Sequence, residues 1–138
     1  MIKAVVDTNI LVSGLISPKA SPAKIISLWR ERKFVLVVSE KILEEVKRVL
    51  FYPKIFKKYS LDKNLIDKYI KIFRSFAEVV EPKEKIRLIK TDESDNRFIE
   101  AAISANAGYL VSGDKHLLEI KKFQSIRIIK AEEFAKLI

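Results

Sequence analysis

The chain divides into short apolar runs and longer blocks in which apolar residues recur three and four positions apart. Short runs rich in β-branched residues are typical of strands buried on both faces of a parallel sheet. The longer blocks are typical of helices that bury one face. The runs that predict strands occupy residues 2–6, 34–38, 109–112 and 126–129, with a weaker one at 78–81.

Helical patterns fall between and after these runs. A helix face begins at residue 10, and further helices are predicted at 21–32, 39–52, 60–76, 94–106, 115–122 and 132–137. Alternating strands and helices indicate an α/β fold, a parallel sheet with helices on both faces. At 138 residues the whole chain, 1–138, is expected to form a single domain.

Two acidic residues follow predicted strands directly. Asp7, followed by Thr8 and Asn9, comes directly after the run 2–6. Asp114 follows the run 109–112, with Gly113 between them. The carboxyl ends of parallel strands are where such sheets bind ligands. Each aspartate could instead only cap the helix that follows it.

Two further acids lie on predicted helices. Glu45 borders the apolar stripe of 39–52, and Asp95 lies near the centre of the apolar face of 94–106, in its first turn. A buried carboxylate is costly unless it is paired or binds a metal. The ordinary alternatives are a solvated border position for Glu45 and an interaction with the positive helix end for Asp95.

Four carboxylates gathered at one sheet edge would repel one another unless a hard cation neutralised them. Oxygen ligands suit Mg²⁺ or Mn²⁺, which can activate a water against a phosphodiester. The net charge of +9 favours polyanions, nucleic acid above all, although a lysine-rich, thermally stable surface would give the same charge. The predicted nucleic-acid contacts are Lys54, Lys57, Lys58, Arg97 and Lys115.

Composition excludes several classes of protein. No cysteine is present, which rules out disulfides and thiolate metal sites and fits a reducing cytosol, so a cytoplasmic protein is expected. His116 is the only histidine, which leaves a histidine-based ribonuclease or a zinc site unsupported. No glycine-rich dinucleotide motif follows Asp7. No signal peptide and no apolar run long enough to span a bilayer is visible.

The chain resembles the PIN domain ribonucleases, in particular the toxins of prokaryotic type II toxin–antitoxin systems. The resemblance covers nearly the whole chain, in the stretches VVDTNILVSGL, SEKILEEVKRVL, TDESDNRFIEAAISANAGYLVSGDKHLL and IRIIKAEEFAKLI. It implies a three-layer α/β/α fold with a five-stranded parallel sheet. It also implies Mg²⁺- or Mn²⁺-dependent cleavage of single-stranded RNA and a small antitoxin partner.

By position, the resemblance assigns the catalytic and metal-binding site to Asp7, Glu45, Asp95 and Asp114. Asp92 matches a second acid often found in this branch, and the residues matched to supporting roles are Thr8, Asn9 and Ser112. A homodimer is also expected, because Trp29 and Phe51 exceed what one core needs. The alternatives are an RNA-processing nuclease without an antitoxin, and a non-catalytic module that binds RNA or a protein partner.

Overall fold

The computed structural model describes residues 1–18, 21–83, 85 and 96–138. Six strands and eight helices lie within these ranges. The strands are β1 (Lys3–Val6), β2 (Val35–Ser39), β3 (Glu78–Val80), β4 (Tyr109–Val111), β5 (Lys122–Phe123) and β6 (Ile126–Ile129). The helices are α1 (Thr8–Ile16), α2 (Ser21–Arg30), α3 (Glu40–Leu50), α4 (Pro53–Lys58), α5 (Lys63–Phe76), α6 (Asn96–Ala105), α7 (Lys115–Ile120) and α8 (Ala131–Leu137).

The strands form one sheet in the order β3-β2-β1-β4-β6-β5. The first five are parallel, which confirms the predicted parallel core, and β5 adds a short antiparallel edge beside β6. The sequence pattern had placed residues 121 and 122 in a helix. Instead α7 ends at Ile120, because Lys121 takes a left-handed backbone with φ of 64° and turns the chain back.

Strand β1 is the centre of the core. It pairs with β2 on one side and β4 on the other. Its successive residues Ala4, Val5 and Val6 are all fully buried. Successive side chains point to opposite faces of a sheet, so both faces are covered. This matches the layered α/β arrangement predicted from the apolar runs.

Helices α3 and α5 form an antiparallel hairpin with the short helix α4 at its turn. Arg74 binds Glu40 at 2.7 Å, and Lys47 lies 3.4 Å from Asp67. The prediction of one helix from residue 60 is wrong at its start. Asp62 caps α5 by accepting from the backbone of Leu65, so this helix begins only at Lys63.

Gly14 allows α1 and α2 to pack closely. A Cβ at this position would lie 2.5 Å from Ile26 Cγ1 and 2.7 Å from the carbonyl oxygen of Pro22. A larger residue would therefore force α1, the helix that Asp7 caps, away from α2. Among the residues that the structure describes, no helix has the length and apolar character needed to cross a bilayer.

Candidate functional site

Asp7 lies between the end of β1 and the start of α1, and the residue is 5% exposed. Its backbone N–H donates to the carbonyl of Val111 at 3.0 Å, which fixes it beside the end of β4. One carboxylate oxygen, Oδ1, accepts from the backbone N–H of Ile10 at 2.9 Å and caps α1. The capping role considered for Asp7 is therefore real, but it uses only one of its two oxygens.

Ser112 connects the other oxygen to the second aspartate. Its hydroxyl is fully buried, donates to Asp7 Oδ2 at 2.5 Å and accepts from the backbone N–H of Asp114 at 3.0 Å. Asp114 in turn caps α7, with Oδ1 accepting from the backbone of His116 and Leu117. Because β1 and β4 are neighbours in the sheet, Asp7 and Asp114 follow adjacent parallel strands at the same edge.

Burial raises the pKa of Asp7 above 3.8, its ordinary value. Hydrogen bonds from Ser112 and from the backbone of Ile10 and Gly113 act in the opposite direction, and the negative charge of Asp114 raises the pKa further. The two carboxylates thus interact unfavourably at one sheet edge. A cation between or beside them would relieve both the burial penalty and the repulsion.

Thr8 follows Asp7 in the chain and is the first residue of α1. It is 2% exposed, and its hydroxyl has no hydrogen-bond partner among the described residues. Buried polar groups are normally paired, so an unpaired hydroxyl beside a buried carboxylate fits a ligand-binding position. Its neighbour Asn9, also predicted to support the site, is exposed.

The oxygens of Asp7, Thr8 and Asp114 are the donors that Mg²⁺ or Mn²⁺ prefers. Within the described ranges, no group of three or more acidic or histidine side chains is placed to hold a metal ion. Asp92 and Asp95, predicted from the sequence to contribute, lie outside the described residues. The oxygens of Asp7, Thr8 and Asp114 are of the type that binds a hard cation.

Glu45 is placed differently from the two strand-end aspartates. Its Oε2 accepts from Arg97 Nη1 at 2.7 Å, and Arg48 lies 3.8 Å from the same oxygen. The Glu45 and Arg97 side chains are 18% and 21% exposed. Two predicted site residues, one assigned to metal and one to nucleic acid, are thus bound to each other. This ion pair could not be predicted from the charge pattern of the sequence, because Glu45 and Arg97 are 52 positions apart.

The predicted lysine contacts are exposed. Lys54, Lys57 and Lys58 lie on α4, where Phe51 stacks on Phe56 with ring centroids 5.7 Å apart. Lys115 opens α7 directly after Asp114. The structure therefore gives one basic residue next to the strand-end acids and a separate basic and aromatic surface at the turn of the α3–α5 hairpin.

The fold and this edge define the class of protein: a parallel α/β domain with carboxylates at the carboxyl ends of its central strands. The chain belongs to the PIN domain family, whose model matches residues 3–116. It is 36% identical over 120 residues to the uncharacterized protein MJ1680 of Methanocaldococcus jannaschii, covering 87% of this chain and 76% of that protein. PIN domains are generally nucleases and typically use divalent metals.

Two solved structures share the fold. The first is VapBC2 from Rickettsia felis bound to a DNA fragment from their promoter, with a TM-score of 0.61, 20% identity, and coverage of 92% of this chain and 97% of that one. The second is VapBC-1 from nontypeable Haemophilus influenzae, with a TM-score of 0.63, 19% identity, and coverage of 95% and 99%. At these identities the likeness establishes the fold.

Proposed function

We propose that this protein is a Mg²⁺- or Mn²⁺-dependent endoribonuclease that hydrolyses phosphodiester bonds of single-stranded RNA. The observation that carries the proposal is the Asp7–Ser112–Asp114 arrangement at the ends of β1 and β4. It brings together two carboxylates, one of them buried, and the residue after Asp7 is a buried threonine whose hydroxyl has no partner within the described ranges. Membership of the PIN domain family supports the same reaction class.

Asp7, Asp114 and Asp95 are the residues proposed to hold the metal, with Glu45 completing the acidic set assigned by position and Asp92 as a further candidate. When bound, the cation would supply a water of lowered pKa as the nucleophile. Ser112 fixes the orientation of Asp7 by donating to Oδ2, and the cap on α1 fixes Oδ1. The basic surface, from a net charge of +9, attracts the polyanionic substrate.

The nuclease activity is tested by cleavage of a labelled single-stranded RNA with Mg²⁺, with Mn²⁺ and with chelator. Asp114→Asn should lower the cleavage rate at least a hundredfold, as expected for loss of a ligand that activates water. Glu119→Gln is the matched control, because Glu119 is an exposed acid on the same helix, α7. RNA binding without any metal-dependent cleavage would instead support the non-catalytic binding module.

We further propose that the nuclease is the toxin of a toxin–antitoxin pair. VapBC proteins, which share its fold, are toxin–antitoxin complexes. The described part of the chain also has an apolar groove of 850 Å³ between α2 and α5, with Trp29 and Phe73 in its floor and Phe76 70% exposed at its rim. Arg30, Arg32 and Lys68 line the same groove. An amphipathic antitoxin segment with acidic side chains would complement it.

Growth of the host on expression of the chain tests this role. The wild type should arrest growth, Asp7→Asn should not, and a small protein encoded beside the gene, once identified, should relieve the arrest on co-expression. Phe76→Ser should keep the arrest but weaken the relief, because it removes an apolar side chain from the groove. Normal growth with an active wild-type nuclease would favour an RNA-processing enzyme without an antitoxin.

A further inference from the structure

Lys130 begins the last helix in a position where the helices after the central strands have a different kind of residue. It is the N-cap of α8, directly after β6, and its side chain makes no capping hydrogen bond. The helices that follow β1, β2 and β4 are capped by Asp7, Ser39 and Asp114, whose side chains accept from the backbone. A lysine ammonium has donors only, so it cannot accept from the free N–H groups at the start of α8.

The charge of Lys130 is also unfavourable at this position, because the N-terminus of a helix carries a partial positive charge. Glu132 and Glu133, in the first turn of α8, have the charge that this end favours. Within this helix start, the lysine is therefore the residue that local helix energetics disfavours. Residues that break a local rule in an otherwise consistent fold are expected at functional sites.

The register of the sheet aligns Lys130 with the acidic edge. Val111 of β4 is aligned with Ile129 of β6, so Ser112 and Lys130 are the next aligned positions. In the same way, Ser112 is aligned with Asp7 across β4 and β1. Lys130 keeps an extended backbone, with φ of −74° and ψ of 156°, so the alternation of side chains continues to it. It therefore lies on the same face as Ser112 and Asp7, about 5 and about 10 Å away across the strands.

Aligned side chains of β4 and β6 contact each other elsewhere along this pair of strands. Arg127 lies 5.9 Å from the centroid of the ring of Tyr109, the residue with which it is aligned. Lys130 is exposed, whereas Ser112, its aligned neighbour, is fully buried and donates to Asp7. The lysine thus provides a solvated cation at the rim of the buried network that holds the strand-end acids.

We propose that Lys130 is a substrate contact whose ammonium binds a backbone phosphate of the single-stranded RNA on the β6 side of the strand-end acids. The proposal rests on the proposed function for the identity of the polymer. It explains why a residue with donors only occupies a capping position, since the ammonium serves the substrate and not the helix. Lys115, exposed directly after Asp114, follows β4, the strand next to β6, so the two lysines together favour a substrate path over β4 and β6.

This role predicts that one substitution improves the fold and weakens the substrate contact. Lys130→Ser supplies an acceptor for the N-cap and removes the unfavourable charge, so the variant should melt a few degrees higher than the wild type. It should bind RNA less tightly, because one phosphate contact is lost. Lys130→Gln removes the charge without supplying a good cap, so it should lose the same affinity with a smaller gain in melting temperature.

The experiment measures the affinity of a labelled single-stranded RNA by fluorescence anisotropy at several salt concentrations, in chelator so that no cleavage occurs. Lys130→Ser and Lys130→Gln should each reduce the slope of log affinity against log salt by about 0.7, or roughly fivefold in affinity at about 0.1 M salt. Lys130→Arg keeps a cation and should bind like the wild type. Lys136→Ser is the matched control, because it removes the same charge from an exposed position at the other end of α8.

Thermal melting is recorded for the same variants. The proposal would be overturned by a wild-type salt slope for Lys130→Ser, by an equal loss of slope in Lys136→Ser, or by a wild type that does not bind RNA. A lower melting temperature for Lys130→Ser would also overturn it, because the lysine would then serve the fold. Binding is measured without metal, so a wild type that binds RNA through Lys130 but never cleaves it would refute the proposed nuclease and leave this contact standing.

Discussion

At the scale of single residues, Ser112 is the link that brings the two strand-end aspartates into one network. It uses its one hydroxyl proton on Asp7 and a lone pair on the backbone of Asp114. It is also fully buried, so neither bond competes with water. The orientation of the Asp7 carboxylate therefore depends on a residue from a neighbouring strand, 105 positions away.

Replacement of Ser112 by alanine should lower the free energy of unfolding by about 1–2 kcal/mol, because it leaves the buried Oδ2 of Asp7 and the half-buried N–H of Asp114 without their partner. Cleavage should fall more than tenfold as Asp7 loses its fixed orientation. Ser104→Ala is the control, since Ser104 is an exposed serine on α6. Chemical denaturation and cleavage rates measure both effects, and equal behaviour of the two variants would contradict the linking role.

The metal-free protein should also become more stable when Asp7 loses its charge. Burial raises the pKa of Asp7 in the folded state above 3.8, so ionised Asp7 costs stability at neutral pH. That cost shrinks as the pH falls through the folded-state pKa and is gone below 3.8, where both states are protonated. In chelator, Asp7→Asn should therefore melt higher than the wild type at pH 7, by an amount that shrinks on acidification. A difference that grows on acidification would contradict this.

At the scale of elements, the helix α4 presents lysines and aromatic rings on an exposed surface. Phe51 and Tyr52 are 37% and 47% exposed just before it, and Lys58 lies over the ring of Tyr59. Such a surface can bind phosphates through lysine and stack bases on the rings. It lies at the turn of the α3–α5 hairpin, past the end of α3, the helix that carries Glu45.

Conversion of Lys54, Lys57 and Lys58 together to glutamine should weaken RNA binding and reduce its salt slope by about 2, which corresponds to three lost phosphate contacts on a single strand. The control changes three other exposed lysines, Lys24 on α2, Lys33 just after α2 and Lys136 on α8, none of which belongs to α4. Titration of labelled RNA at several salt concentrations gives both slopes. Equal slopes for the two triple variants would mean that only the overall charge matters.

At the scale of the whole molecule, the sequence predicted the elements well where an apolar pattern was strong. The five parallel strands, the helices between them and the positions of Asp7 and Asp114 after adjacent strands follow from short buried runs and their polar ends. Turns whose backbone takes a positive φ were not visible in that pattern. Lys121 therefore ends α7 early, and Ser60, with φ of 50°, separates α4 from α5.

Contacts between distant elements were the part that sequence alone could not provide. The pairing of Glu45 with Arg97 depends on how α3 and α6 approach each other, which no local pattern encodes. Trp29 was predicted to exceed the needs of one core, yet it is 8% exposed and stacks on Phe73 with ring centroids 5.1 Å apart. The partner of Trp29 lies on α5, so this contact is visible only once α2 and α5 are packed together in the fold.

The expected homodimer is a prediction at this scale as well. Phe51 remains partly exposed, and so do Tyr52 and Tyr59 around α4. Light scattering at high micromolar concentration should give twice the chain mass of 15.9 kDa. Phe51→Ser should shift the mass towards the monomer, because it removes an exposed apolar ring. A monomer mass for the wild type at that concentration would contradict the prediction.

The central claim, that Asp7 acts through its charge and not only as a helix cap, is tested most directly by comparing Asp7→Asn with Asp62→Asn. Both aspartates cap a helix by accepting from the backbone three residues on, and asparagine caps about as well as aspartate. In single-turnover cleavage of single-stranded RNA with Mn²⁺, Asp62→Asn should match the wild type, and Asp7→Asn should show no cleavage above that in chelator. Undiminished cleavage by folded Asp7→Asn, or wild-type cleavage that survives chelation, would contradict the metal-dependent nuclease.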